Sequence, residues 1–90
     1  MKYRLGTPTV HLNGTARREL EDQFRANHEA VTAAINVIAG NYPHKRDFYV
    51  RADGNESFDA AEAKHRARIE KLQAINAEIY ADYEAFAEAN

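Results

Sequence analysis

Seven residues in the second half of the chain, His65, Ile69, Leu72, Asn76, Ile79, Tyr83 and Phe86, recur at intervals of 4-3-4-3-4-3. An α-helix completes a turn in 3.6 residues, so this spacing holds all seven on one narrow stripe, the pattern of helices packed nearly parallel or antiparallel. Such a stripe leaves water only when another helix lies against it. The chain supplies one: Phe24, His28, Val31, Ile35 and Ile38 follow a 4-3-4-3 spacing, Leu20 extends it by a turn, and no Gly or Pro interrupts residues 15 to 39.

The punctuation between the stripes sets the expected boundaries. Thr15 stands where its hydroxyl can accept a hydrogen bond from a first-turn amide, although Arg18 occupies the place where a capping box carries Glu or Gln. Gly40 and Asn41 are expected to end this helix in left-handed backbone, and Pro43 to prevent its resumption. The second helix is expected to begin after Asn55 or Ser57, with Asp59 and Glu62 near its positive end. Residues 1 to 14 alternate weakly (Tyr3, Leu5, Val10, Leu12) and are broken by Gly6, Pro8 and Asn13-Gly14. They read as an extended arm.

The expected fold is therefore all-α: a short extended N-terminal arm over 1–14, then a single antiparallel helical-hairpin domain with helix 15–39, loop 40–57 and helix 58–88. A hairpin joined near Ala39 and Phe58 would set His28 level with Ile69 and His65 near Thr32. Two helices bury little apolar surface against the entropy of ordering them. A chain without disulfides usually solves this by association, so a homo-oligomeric helical bundle is expected.

Composition removes several classes of function. The 90 residues include no cysteine, which excludes disulfides, thiolate metal sites and a cysteine nucleophile. Lys2 and Arg4 are followed by no apolar stretch of the kind a secretory signal needs, and no run is long enough to span a bilayer. The expected location is the cytoplasm, so Asn13-Gly14-Thr15 and Asn55-Glu56-Ser57 read as helix starts rather than glycosylation sites. Residues 1 to 51 hold eight Lys/Arg against five Asp/Glu, and residues 52 to 90 hold four against nine. A net charge of −2 with an acidic second half argues against general duplex nucleic-acid binding and for docking of one half on the other or on a neighbouring chain.

Few constellations carry chemistry. Glu62 and His65 have the Glu-x-x-His spacing of di-iron bundles, but a single copy lacks the other ligands. His65 reads as a seam histidine with a satisfied hydrogen bond, Glu62 as a solvated first-turn carboxylate, and no metal or other cofactor is expected. His28 is the second seam histidine, and Asn76 reads as the residue that fixes register. No phosphate loop or Gly-x-Ser-x-Gly is present, and a His44/Asp47 pair arises easily by chance, so an enzyme is not expected.

The connection between the helices is about twice the usual length for a hairpin. It gathers cations that can hold phosphate oxygens with rings on which a base can stack. Tyr42, His44, Lys45, Arg46, Tyr49 and Arg51 are its candidate ligand-binding residues. The competing reading has Phe48 and Tyr49 covering the end of the helix pair while the charges are solvated.

Three short motifs, Leu12-Asn13-Gly14-Thr15, Pro43-His44-Lys45-Arg46-Asp47-Phe48-Tyr49 and His65-Arg66-Ala67-Arg68, give the chain a family likeness. It resembles a group of small uncharacterised proteins encoded by tailed bacteriophages and prophages, over most of positions 10 to 80, with Lys45 standing where that loop commonly has Gly. The resemblance implies a phage origin, and with it a non-enzymatic accessory role against host defence. Two expectations follow. One is an oligomer that sequesters a nucleotide-like anion at the basic and aromatic loop. The other is a protein-binding inhibitor or adaptor that docks its acidic C-terminal helix, through Glu78, Asp82, Glu84 and Glu88, on a host or phage protein.

Overall fold

The computed structural model describes residues 5–10 and 16–90. Two helices, α1 (Arg17–Gly40) and α2 (Gly54–Ala89), form an antiparallel hairpin, and the described residues contain no strand. The seam residues of α2 are all buried or half-buried, as are those of α1 apart from His28. Burial follows the 4-3 spacing because angular position on a helix decides which side chains reach the partner.

The register differs from the expected one. The Asn76 amide Nδ2 donates to Thr32 Oγ1 at 3.0 Å. Eight residues back along α1, Phe24 meets Tyr83 and Phe86, with ring centroids 5.9 and 5.6 Å apart. Beyond the other end of α1, Tyr42 packs edge-on against His65 at 5.1 Å. Thr32 therefore faces Asn76 rather than His65, a slip of three helical turns or about 16 Å. The cause is unequal length: α2 has 36 residues and α1 has 24, so the first turns of α2 project past the end of α1. His28 consequently comes level with Tyr80, about 22 Å along the axis from His65, and the two histidines cannot pair.

The boundaries shift for local reasons. α1 ends without left-handed backbone: Asn41 has φ −100° and its N–H donates to the Ile38 carbonyl. Ala16 in extended backbone precedes α1 without a side-chain cap. The expected cap, Thr15, lies outside the described residues. α2 starts at Gly54, four residues before the expected 58, which leaves Glu56 in its first turn and carries Asp59 and Glu62 further inside. The connection becomes 41–53. Within it, amides 47, 48, 51 and 54 each donate to the carbonyl three residues earlier, beginning with a 3-10 turn over Lys45–Asp47. A run of tight turns thus lays the connection along the projecting part of α2.

At the opposite end the arm is tied down. Asn90 Oδ1 accepts from the Val10 N–H at 2.9 Å, and its Nδ2 donates to the Pro8 and Phe86 carbonyls at 3.1 and 3.0 Å. The Arg17 guanidinium adds a bond to the Asn90 carbonyl. Among the described residues Ala85, Phe86 and Ala89 are the buried apolar side chains, and they lie on this last stretch of α2. The expected arm is therefore a docked segment at Pro8 to Val10, while 1–4 and 11–14 lie outside the described residues. No helix is long and apolar enough to cross a membrane among those described.

Candidate functional site

The projecting end of α2 carries a stripe of its own. Ser57, Ala61, Lys64, His65 and Arg68 fall within one side of the helix, at i, i+4, i+7, i+8 and i+11. With no α1 opposite, this stripe is covered by the connection instead. Pro43 and Phe48 approach it and leave a hollow of 450 Å³, walled on the helix side by Ser57, Lys64, His65 and Arg68. That volume suits a small organic ligand.

Gly54 fixes how closely the connection approaches. A Cβ there would lie 2.3 Å from the Phe48 carbonyl oxygen, so only a glycine lets the backbone of Phe48 pass over the start of α2. Phe48 then meets Phe58 edge-on at 5.9 Å. Its ring is held as a wall of the hollow.

His65 is the most unusual residue of the site. It is 7% exposed, and its Nε2 is buried without a hydrogen-bond partner among the described residues. Buried ring nitrogens are ordinarily paired, because the desolvation of an unpaired one costs about 1–3 kcal/mol. The Tyr42 ring packs edge-on against the imidazole. The neighbouring Tyr42 hydroxyl, and after it the Glu62 carboxylate, raises the Arg66 guanidinium above the ordinary arginine value. The Glu62 carboxylate lies 2.8 Å from Arg66, so it serves an i,i+4 ion pair rather than a partnership with His65.

Most of the loop residues expected to bind a ligand do not converge on the hollow. His44, Lys45, Arg46, Tyr49 and Arg51 are exposed, Tyr49 to 77%. Arg51 grips the Asp53 carboxylate with two bonds of 2.9 and 3.0 Å, which spends its fork within the loop. Lys45 sits over the Phe58 ring at 5.9 Å from its centroid. Tyr42 alone touches a wall of the hollow, through His65. Of the loop aromatics, Phe48 covers the helix end and Tyr49 does not. The cations that line the hollow are Lys64 and Arg68, for which the sequence pattern predicted no ligand role; their spacing from Ser57 and His65 was the available signal.

No family model, curated protein or solved structure matches this chain. Two permanent cations, an imidazole nitrogen without a partner, a serine hydroxyl and an aromatic wall suit an anion joined to a flat ring. Among the described residues no group of three His, Asp or Glu side chains is placed to hold a metal ion.

The rival acidic surface has a different character. Glu78, Asp82, Glu84 and Glu88 are all exposed, and none of them is in an ion pair among the described residues. At 100° per residue Glu78 and Asp82 leave one side of the outer face and Glu84 and Glu88 the other, so they form a broad acidic back rather than one stripe.

Proposed function

We propose that this protein is a non-enzymatic binding protein that holds a nucleotide-like anion in the hollow at the loop end of the hairpin. The observation that carries the reading is the convergence of Lys64, Arg68 and the Phe48 ring on one hollow backed by the buried His65. The anionic group takes charge-assisted hydrogen bonds from Lys64 and Arg68, the buried His65 backs the wall between them, and the base lies on Phe48. Taken with the resemblance to phage-encoded proteins, the biological reading is sequestration of a host nucleotide signal.

Titration calorimetry with inorganic phosphate, nucleoside monophosphates and cyclic dinucleotides tests this. A nucleotide should bind more tightly than phosphate. Lys64→Ala with Arg68→Ala should weaken it at least tenfold, since each charge-assisted bond contributes about 1.5–3 kcal/mol. Arg46→Ala with Tyr49→Ala should leave it unchanged. No heat and no thermal stabilisation with any of these anions at millimolar concentration would remove the proposal.

A second reading keeps the acidic back of α2 as a protein-docking surface. The observation favouring it is four exposed carboxylates without ion-pair partners on a stretch with no Lys or Arg after Lys71. Charge reversal at Glu78 and Asp82 should then abolish capture of a basic partner while leaving nucleotide binding intact.

A further inference from the structure

The hairpin is one helix thick. Its extents are 65 × 23 × 15 Å and its radius of gyration is 19.6 Å, against about 12 Å for a compact chain of this length. α1 contains no buried residue although its seam carries Leu20, Phe24, Val31, Ile35 and Ile38. Folded domains are built from at least two packed layers, because a single layer leaves each apolar stripe wet on the side its neighbour cannot reach. The chain exposes 6967 Å², where a compact monomer of 10.2 kDa exposes about 5,300 Å². The excess of about 1,600 Å² is what one protomer of an obligate homodimer buries.

One face of the layer is shaped to receive a second one. Between the helices, near their termini, Phe24, Ile79, Tyr80 and Tyr83 line an apolar groove of 270 Å³, with Glu21 and Arg25 at its rim. Tyr80 is 54% exposed there, a large aromatic that α1 does not cover. Glu21 and Arg25 stand one turn apart on the same helix and carry opposite charges. In the single chain Glu21 pairs with Arg17 at 2.8 Å and Arg25 with Asp22 at 3.0 Å, so the rim carries no unbalanced charge to repel a copy related by a two-fold axis across the groove. His28, exposed in the single chain, lies on this face as well.

We infer that a second copy of this chain packs on the groove face, centred on Phe24, Ile79, Tyr80 and Tyr83, to form a two-fold four-helix bundle. The opposite face stays open in that arrangement. Ile75, 43% exposed, stands five residues from Tyr80 and so about 140° around α2, on the side that it shares with Lys64 and Arg68. The hollow is thus accessible in the dimer, and the inference is independent of what the hollow binds.

Sedimentation equilibrium from about 1 to 100 µM, with thermal melts over the same range, provides the test. The expected result is a mass twice that of the chain, with a melting temperature that rises with concentration. Tyr80→Glu should reduce the mass to that of one chain or make folding strongly concentration-dependent. Tyr80→Phe and Ile75→Glu should both remain dimeric. A chain that is folded and monomeric throughout, with a melting temperature independent of concentration, would overturn the inference. So would dissociation by Ile75→Glu with Tyr80→Glu still dimeric, because that places the interface on the other face.

Discussion

Gly54 and Gly40 give the structure a matched test, since the same substitution should act in opposite directions at the two sites. Gly40 is the last residue of α1, and an added Cβ meets nothing within 4 Å. Its backbone is not in the left-handed region, where Gly6 is the one residue among those described, so alanine fits without strain. Gly40→Ala should stabilise by about 0.4–1 kcal/mol, chiefly by restricting the unfolded chain. Gly54 opens α2, and helix propensity alone would favour alanine there by up to about 1 kcal/mol. Sterics oppose this, because the new Cβ would meet the Phe48 carbonyl oxygen at 2.3 Å and its carbon at 3.1 Å. That carbonyl accepts from the Arg51 N–H at 3.2 Å, and the Gly54 N–H donates to the Arg51 carbonyl at 3.1 Å. Moving the Phe48 backbone away weakens both bonds, at about 0.5–1.5 kcal/mol each. It also loosens the edge contact of Phe48 with Phe58, about 0.5–1.5 kcal/mol more. The clash wins, and Gly54→Ala should destabilise by about 1–3 kcal/mol. Urea unfolding at one fixed protein concentration measures both variants. A Gly54→Ala protein as stable as the parent would show that the connection does not rest on α2 as described, and the wall of the hollow would go with it.

Replacing Asn76 by Leu together with Thr32 by Val should raise stability by about 1–3 kcal/mol, because the Asn76 Oδ1 is buried without a partner and apolar packing removes that penalty. The same variant should lose uniqueness of register, visible as extra amide resonances; a loss of stability would show that the polar pair contributes more than alignment. Asn90→Ala removes the bonds to Val10, Pro8 and Phe86 and should release the arm, read as faster hydrogen exchange at Val10 with the hairpin amides little changed. Arg66 has its pKa raised by Tyr42 and then Glu62. Its contribution is fully present below the ordinary arginine value and lost only as pH rises through the higher folded value. A stability profile between about pH 6 and 9 should therefore be identical for the parent and Tyr42→Phe in shape, and a new step in the variant would refute that assignment.

The two seams were legible because a 4-3 spacing fixes angle, and angle alone decides which side chains of a helix face its partner. Register was not, because it depends on how far one helix slides along the other, and the positions of Gly40, Pro43 and Ser57 say nothing about sliding. The information lay in the pairing of unlike side chains. Setting the aromatic residues Tyr83 and Phe86 against Phe24 brings the polar pair Asn76 and Thr32 opposite each other, whereas joining the helices near Ala39 and Phe58 sets His65 against Thr32 and brings Asn76 level with Glu21. The site followed from the same error. A hairpin with flush ends has a free loop, and the cations of a free loop are the natural ligands for an anion. A hairpin whose second helix overshoots has a loop that folds down onto that helix, so Arg51 turns to Asp53, Lys45 to Phe58, and the converging charges become those of the helix itself, Lys64 and Arg68. The overshoot also explains why His65, though part of the seam by spacing, has no α1 residue to satisfy it: at its level α1 has already ended, and what faces its edge is the ring of Tyr42.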